Sequence, residues 1–220
     1  EPVVDAERVL VLDDVDLDED GQVRLTADAD DVALGRHGDV ILVNGVERPS
    51  LEVAAGTTER WRIVNAANGR YFALELAGHE FVVVGGDGGP LPSVQTTDVL
   101  LIAPGERHDV LLTIAADPGT RAWLRSAAVD RGHAELPGFD VMELRVGSPT
   151  MEPVIVDPER FTAAIEALPI SAQTPERTFR LGEDLDHPNG PRFSINDELW
   201  PFNTPIVAAL GDLEVWSIEN

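Results

Sequence analysis

The sequence predicts an all-β protein, an antiparallel sandwich or barrel, and two observations carry that prediction. Short apolar, β-branched segments recur at a spacing of about 8–12 residues. Turn dipeptides separate them, among them Asn44-Gly45, Ala55-Gly56, Asn68-Gly69, Ala77-Gly78, Asp87-Gly88, Pro104-Gly105 and Pro118-Gly119. The second observation is an internal repeat. Gly56-Thr57-Thr58-Glu59-Arg60-Trp61-Arg62-Ile63-Val64-Asn65 returns as Gly211-Asp212-Leu213-Glu214-Val215-Trp216-Ser217-Ile218-Glu219-Asn220. Both copies read G-x-x-E-x-W-x-I-x-N, at an offset of 155 residues (211 − 56). Upstream, Val43-Asn44-Gly45 is matched by Ile195-Asn196-Asp197. A solenoid repeat runs about 20–50 residues, so this period is that of a whole domain. In each copy the Trp and the Ile share one side of an extended chain with polar residues between, the alternation of a half-buried strand.

About eighty residues of strand-like sequence separate the first copy from residue 148, whereas the second copy closes at Asn220. The expectation is one complete domain and the opening hairpin of another, within a longer protein. Its bounds are 1–26 for the end of a preceding domain and the crossing out of it, 27–147 for the complete domain, 148–177 for a connector, and 178–220 for the start of the next.

Arg8-Val9-Leu10-Val11-Leu12 opens as a strand. An acidic hairpin over 13–20 follows, and Gly21 turns the chain into a returning strand, Gln22-Val23-Arg24-Leu25. Residues 27–38 form a polar loop. Strands are expected at 39–44, 50–54, 58–64, 71–77, 80–84, 97–102, 107–115, 121–127 and 140–146. The one helix is expected over 157–168. Asp157 caps it, Pro158 takes the first helical position, and Phe161, Ile165 and Leu168 line one face. Pro169 stops it. Thr178 to Leu181 begins the second domain, and Arg192-Phe193-Ser194-Ile195-Asn196 is its next strand after a turn at Asp186–Pro191.

Composition narrows the function. The net charge is −24, and all sixteen basic residues are arginines. Such a surface repels nucleic acid and anionic membranes, so neither is expected as a partner. The composition suits a GC-rich genome or a salt-adapted organism, and neither choice bears on the reaction. No apolar run approaches the ~18–20 residues of a membrane helix. The opening Glu1-Pro2 shows no signal-peptide pattern. The absence of cysteine excludes disulfides, cysteine-ligated metals and thiol nucleophiles within these residues.

Few residues invite chemistry. Asp16-x-Asp18-x-Asp20-Gly21 imitates the start of an EF-hand loop, but Ala27 stands where its twelfth-position Glu belongs. A solvated acidic turn is the expected structure. Gly85-Gly86-Asp87-Gly88-Gly89 has no G-x-G-x-x-G register, and Pro90 and Pro92 follow it. A tight β-turn is expected rather than a phosphate loop. His37, His79, His108, His133 and His187 form no H-x-H, H-x-x-H or H-E-x-x-H pair. Each is expected in a loop or at the surface, with the imidazole of His108 facing solvent. Arg60, Arg62, Arg107 and Glu59 are expected in cross-strand pairs worth about 0.2–1 kcal/mol each. No hydrolase elbow exists. No catalytic, cofactor-binding or metal-ligating residue emerges from the residues themselves.

Three ordered motifs carry a resemblance. They are Val40-Ile41-Leu42-Val43-Asn44-Gly45 through Arg60-Trp61-Arg62-Ile63-Val64-Asn65-Ala66 to Arg70-Tyr71, then Gly78-His79-Glu80-Phe81 to Gly89, then Leu100-Leu101-Ile102-Ala103-Pro104-Gly105-Glu106-Arg107-His108-Asp109-Val110. Together they resemble the second cupredoxin domain of three-domain multicopper oxidases, in particular the bacterial laccase, cuprous oxidase and bilirubin oxidase branch. Residues 1–25 resemble the end of that family's first domain and the crossing into the second, and residues 178–220 resemble the start of its third. The resemblance implies a cupredoxin-like Greek-key sandwich or barrel with one short connector helix. It implies four coppers, an electron donor that is a phenol, an amine or a metal ion, and dioxygen reduced to water. The family's ligands are H-x-H pairs in the first domain, and H-x-H pairs, an H-C-H segment and an axial Met in the third. None occurs here, so no copper ligand carries over, and the five histidines match no ligand position. The middle domain's implied role is architectural, with the flanking cupredoxin domains as its partners and a periplasmic or extracellular location. Two other expectations stand beside this one. The parent could be a copper-free relative of the cell-division type, acting as a scaffold. Or the chain could be an isolated sandwich module, against which the unfinished repeat and its apolar strand Val215-Trp216-Ser217-Ile218 argue.

Overall fold

Strand-forming sequence accounts for nearly all the regular structure in the computed structural model, which describes residues 3–29, 31, 35–131, 135–164, 166, 168–184, 187, 188, 190, 192–199 and 204–220. The chain divides into two units, one of Glu1–Ala27 with Leu34–Ile165, the other of Asp28–Ala33 with Glu166–Asn220.

The first unit is a sandwich of two sheets. Its strands are β1 (Ala6–Val15), β2 (Val40–Val43), β3 (Val46–Glu47), β4 (Ser50–Ala54), β5 (Thr58–Asn65), β6 (Phe72–Leu76), β7 (Phe81–Gly86), β8 (Gly89–Thr97), β9 (Val99–Ile102), β10 (Arg107–Thr113), β11 (Arg121–Ser126), β12 (Val129–Asp130), β13 (Glu135–Leu136) and β14 (Phe139–Gly147). A seven-stranded sheet runs β3-β2-β1-β5-β10-β7-β8, a five-stranded sheet runs β4-β14-β11-β6-β9, and β12 and β13 pair with each other outside both. Pairing is mostly antiparallel, as hairpin connections require. Two pairs, β1 with β5 and β4 with β14, are parallel. Both arise where a Greek-key crossing returns the chain to the same sheet. Between the sheets lies one core, with Leu12, Trp61, Ile63, Phe72, Phe81, Ile102, Leu112, Leu124 and Val141 essentially inaccessible. It is built by alternation: in β5, Trp61 and Ile63 point inward while Arg62 is exposed.

Every strand expected between residues 39 and 147 is present, with ends shifted by one or two residues. Three features differ. Residues 22–25 form no returning strand. Only an isolated Leu17–Val23 bridge joins the two arms of the acidic turn. β1 lies between β2 and β5 in this sheet. β8 occupies 89–97 despite Pro90 and Pro92; it is the outermost strand, where a missing N–H removes no ladder bond. The helix expected over 157–168 is a single 3-10 turn, Pro158–Phe161. Asp157 caps it through the Glu159 amide and Pro158 opens it, as expected. Thr162 is already extended, and the Ala163 N–H bonds to the Leu91 carbonyl of β8 at 3.0 Å instead of continuing a helix. Ile165 lies outside the described residues, and Leu168 is exposed. Phe161 does bury itself, against Val84 and Leu111 on the outer face of the seven-stranded sheet.

The second unit is a four-stranded sheet, β17-β16-β15-β18, from β15 (Glu176–Asp184), β16 (Arg192–Ile195), β17 (Glu198–Leu199) and β18 (Val215–Glu219). β18 runs parallel to β15 with Trp216 opposite Arg177. In the first unit β5 runs parallel to β1 with Trp61 opposite Arg8. The two tryptophan strands therefore lie in separate sheets with the same neighbours in the same register. The order β3-β2-β1-β5 is repeated as β17-β16-β15-β18.

Candidate functional site

The repeated strands carry a repeated polar strap. In the first copy Arg8 donates from Nε to Glu59 Oε2 at 3.2 Å and from Nη2 to Oε1 at 3.1 Å, and Trp61 Nε1 donates to Glu59 Oε2 at 2.9 Å. The Arg8 Nη2 also reaches the Glu52 carbonyl at 3.3 Å. In the second copy Arg177 donates to both oxygens of Glu214 at 2.7 Å, Trp216 Nε1 donates to Glu214 Oε2 at 2.8 Å, and Arg177 Nη2 reaches the Val207 carbonyl at 3.0 Å. Val207 stands 155 residues after Glu52, the offset of the motif itself (207 − 52). A bidentate guanidinium–carboxylate pair fixes geometry as well as charge. It joins adjacent parallel strands and orients the indole that packs beside it. The Arg8 and Arg177 guanidiniums are each held above their ordinary range, chiefly by the hydrogen bond to their carboxylate. The Glu214 carboxyl is pulled down to about 2, first by Arg177 and then by the Trp216 indole.

A second strap uses asparagine. Asn44 and Asn196 sit at φ of 51° and 52°, the first residue of a two-residue hairpin turn. Asn44 Oδ1 accepts from the Val11 amide at 2.8 Å and its Nδ2 donates to the Val9 carbonyl at 2.9 Å. Asn196 does the same to the Arg180 amide at 2.8 Å and the Thr178 carbonyl at 3.2 Å. The side chain thus stands in for one more residue of β-ladder. The sequence signals for both straps were present: an Arg ahead of alternating apolar residues, the E-x-W triplet, and Asn at the turn.

Other polar contacts hold the first unit together. Arg70 and Asp14 form a pair at 2.6 Å, their side chains 11% and 2% exposed. Gly38 completes it, donating its N–H to Asp14 Oδ2 and accepting from Arg70 Nη2, each at 2.7 Å. A Cβ on Gly38 would stand 2.3 Å from the Val15 backbone, so only glycine fits. Nothing in the acidic run 13–20 marks Asp14 for burial, which is why this pair is invisible in the sequence. The expected cross-strand pairs form, as Arg60–Asp109 at 2.5 Å, Arg62–Glu7 at 3.3 Å and Glu59–Arg8, and Arg107 pairs with Asp87 of the glycine-rich turn at 3.0 Å. Glu59 is buried while the Arg8 side chain is 34% exposed, so the pair is half-buried rather than the surface pair expected.

The residues that invited chemistry hold turns and loops. Asp18 Oδ1 accepts from the amides of Asp20 at 3.0 Å and Gln22 at 2.8 Å, so it builds the acidic turn from within. Gly86 and Gly89 flank the tight turn between β7 and β8. His37 Nε2 lies 3.1 Å from the Gly69 carbonyl, and burial lowers its pKa below the usual histidine value. His79 Nε2 accepts from the Ala115 amide at 3.2 Å, which leaves Nδ1 to donate to the Ala77 carbonyl at 3.0 Å. His108 does not face solvent as expected: it shares the inward parity of Val110 and Leu112, and both its ring nitrogens are inaccessible. Its Nε2 is 3.2 Å from Glu106 Oε1. His187 lies in the second unit, and His133 lies outside the described residues. Among the described residues no three His, Asp or Glu side chains gather as a metal would require. With His37 and His79 committed to backbone partners, the described side chains do not fit a copper centre.

The sandwich, its two parallel pairs and its doubled strap define a cupredoxin-like fold. The multicopper oxidase family model matches residues 9–137. A laccase of Bacillus subtilis is 30% identical over 186 residues, covering 83% of this chain and 36% of the laccase. The cell division protein FtsP of Edwardsiella tarda is 32% identical over 192 residues, covering 82% of this chain and 39% of that protein. Among solved structures, a laccase from Pediococcus acidilactici superposes with a TM-score of 0.76 at 26% identity, over 98% of this chain and 43% of that one. The chain belongs to the multicopper oxidase family. It spans roughly two fifths of the length of these relatives.

Proposed function

We propose that this chain is the central, non-catalytic portion of a laccase-like multicopper oxidase. The parent oxidises phenols, amines or metal ions and reduces dioxygen to water. These residues hold the copper-bearing domains on either side in register, with 27–147 as the second cupredoxin domain, 148–177 as connector and 178–220 as the start of the third. The observation that carries this reading is the doubled Arg–Glu–Trp strap, placed in two sheets of equal strand order within a chain of this family. It supports reading the chain as parts of two successive domains, and among the described residues His37 and His79 bond to backbone groups. The parent is exported to the periplasm or beyond, as the family resemblance suggests. Among the described residues no helix is long and apolar enough to cross a membrane.

The similarity to FtsP favours a second reading, a copper-free scaffold of the cell-division type. Copper content separates the two. The full-length protein, purified after growth with copper, is expected to carry the metal, to show the intense absorption of a thiolate-ligated copper and to consume dioxygen with a phenolic donor. A full-length protein that folds, binds no copper and consumes no dioxygen belongs to the second reading.

A further inference from the structure

Two Asn-Gly dipeptides of the first unit stand in opposite situations. At Asn44-Gly45 the asparagine amide is tied at both ends. Its Oδ1 accepts from the Val11 amide at 2.8 Å and its Nδ2 donates to the Val9 carbonyl at 2.9 Å. At Asn68-Gly69 the amide is free. Asn68 is exposed in the loop between β5 and β6, and its side chain has no hydrogen-bond partner among the described residues. The Gly69 N–H has none among them either. Asn68 also borders a cleft of about 50 Å³, which brings solvent to the dipeptide. Arg36 lines the same cleft and pairs with no carboxylate among the described residues. Its Nε is buried without a partner.

Asparagine before glycine is open to attack by its own backbone, because glycine has no Cβ to shield its nitrogen. The glycine N–H gives its proton to a solvent base, and the nitrogen bonds to the asparagine Cγ. The Cγ–Nδ2 bond breaks and Nδ2 leaves as ammonia. Water then opens the five-membered imide at either carbonyl, which leaves aspartate or isoaspartate. The uncompensated charge of Arg36 favours the anionic nitrogen that begins this sequence. At Asn44 the Cγ cannot turn toward the Gly45 nitrogen until two hydrogen bonds to β1 have opened. At Asn68 no such bond stands in the way.

We propose that Asn68 is a site of spontaneous deamidation in the folded protein, while the strap that holds Asn44 protects the matching dipeptide. Isoaspartate at 68 adds a methylene to the backbone beside Gly69. That glycine is packed so closely that a Cβ on it would stand 2.9 Å from the Gly35 backbone, and its carbonyl lies 3.1 Å from His37 Nε2. The modification therefore loosens the loop that presents Arg70 to Asp14. The test is incubation of the 220-residue chain at mildly alkaline pH, native and in urea, with tryptic peptides 37–60 and 63–70 followed by mass and isoaspartate content. In the native chain Asn68 is expected to convert at least about tenfold faster than Asn44, and urea to bring the two rates together. The melting temperature is expected to fall as isoaspartate accumulates, and to hold through the same incubation in Asn68→Gln. Equal native rates, a faster rate at Asn44, or an Asn68 that converts only in urea overturns the proposal.

Discussion

Trp61 and Trp216 make the same hydrogen bond in two settings. Trp61 is 0% exposed beneath the five-stranded sheet, while Trp216 is 54% exposed and rests on Phe179, ring centres 4.9 Å apart. Equal chemistry in unequal burial gives a clean comparison. Trp61→Ala is expected to cost about 3–5 kcal/mol in denaturant unfolding, the ordinary cost of emptying a core site. Trp216→Ala is expected to cost less than about 1 kcal/mol in the same chain. Equal costs would contradict the structure. Acid separates the second strap further. Glu214 titrates at about 2 in the fold, below the ~4.3 of a free glutamate. A depressed carboxylate contributes fully above its unfolded value, and that contribution fades as pH falls through the folded one. The Trp216 indole resonance is therefore expected to hold its place down to about pH 3 and to move with a midpoint near 2. A midpoint near 4 would show that Arg177 does not hold the carboxylate. These residues were legible in the sequence only as identities in a repeat. What they hold became visible once β1 and β15 brought Arg8 and Arg177 alongside from far away in the chain. Asp14 and Arg70, 56 residues apart, have no repeat to mark them and were not legible at all.

Strands were more legible than the connector, for a physical reason. A strand in a two-layer sandwich writes its burial into an alternation of period two, and β5 shows this plainly in Trp61, Arg62 and Ile63. The segment 157–168 carries helix signals at its start, and the start is right. Its continuation was decided by a distant partner, the free Leu91 carbonyl on edge strand β8, which local sequence cannot reveal. Asp5 fastens the same connector, accepting from the amides of Val154 at 2.9 Å and Thr58 at 2.8 Å. Phe161 is then the connector's anchor, with the Arg60 guanidinium 5.3 Å from its ring centre. Phe161→Ala is expected to destabilise the first unit by about 3 kcal/mol, and Leu168→Ala by less than about 0.5 kcal/mol. Thermal melts of the two variants check this, and a Leu168→Ala effect as large as that of Phe161→Ala would restore the helix in place of the 3-10 turn.

At the scale of the molecule the family was legible and the role was not. Ordered motifs around Asn44, Trp61, Gly85 and Pro104 sufficed for the multicopper oxidase family, because they report how a sandwich is built. They do not report whether copper is bound, and two of the histidines, His37 at Gly69 and His79 at Ala77 and Ala115, are held by the backbone. The account places the metal outside these residues and the geometry within them. Copper per chain, measured by elemental analysis on the dialysed full-length protein and on the 220-residue chain, tests that division most directly. The account predicts four coppers in the full-length protein and none retained by the 220 residues. A full-length protein without copper, or copper held by this stretch alone, would contradict it.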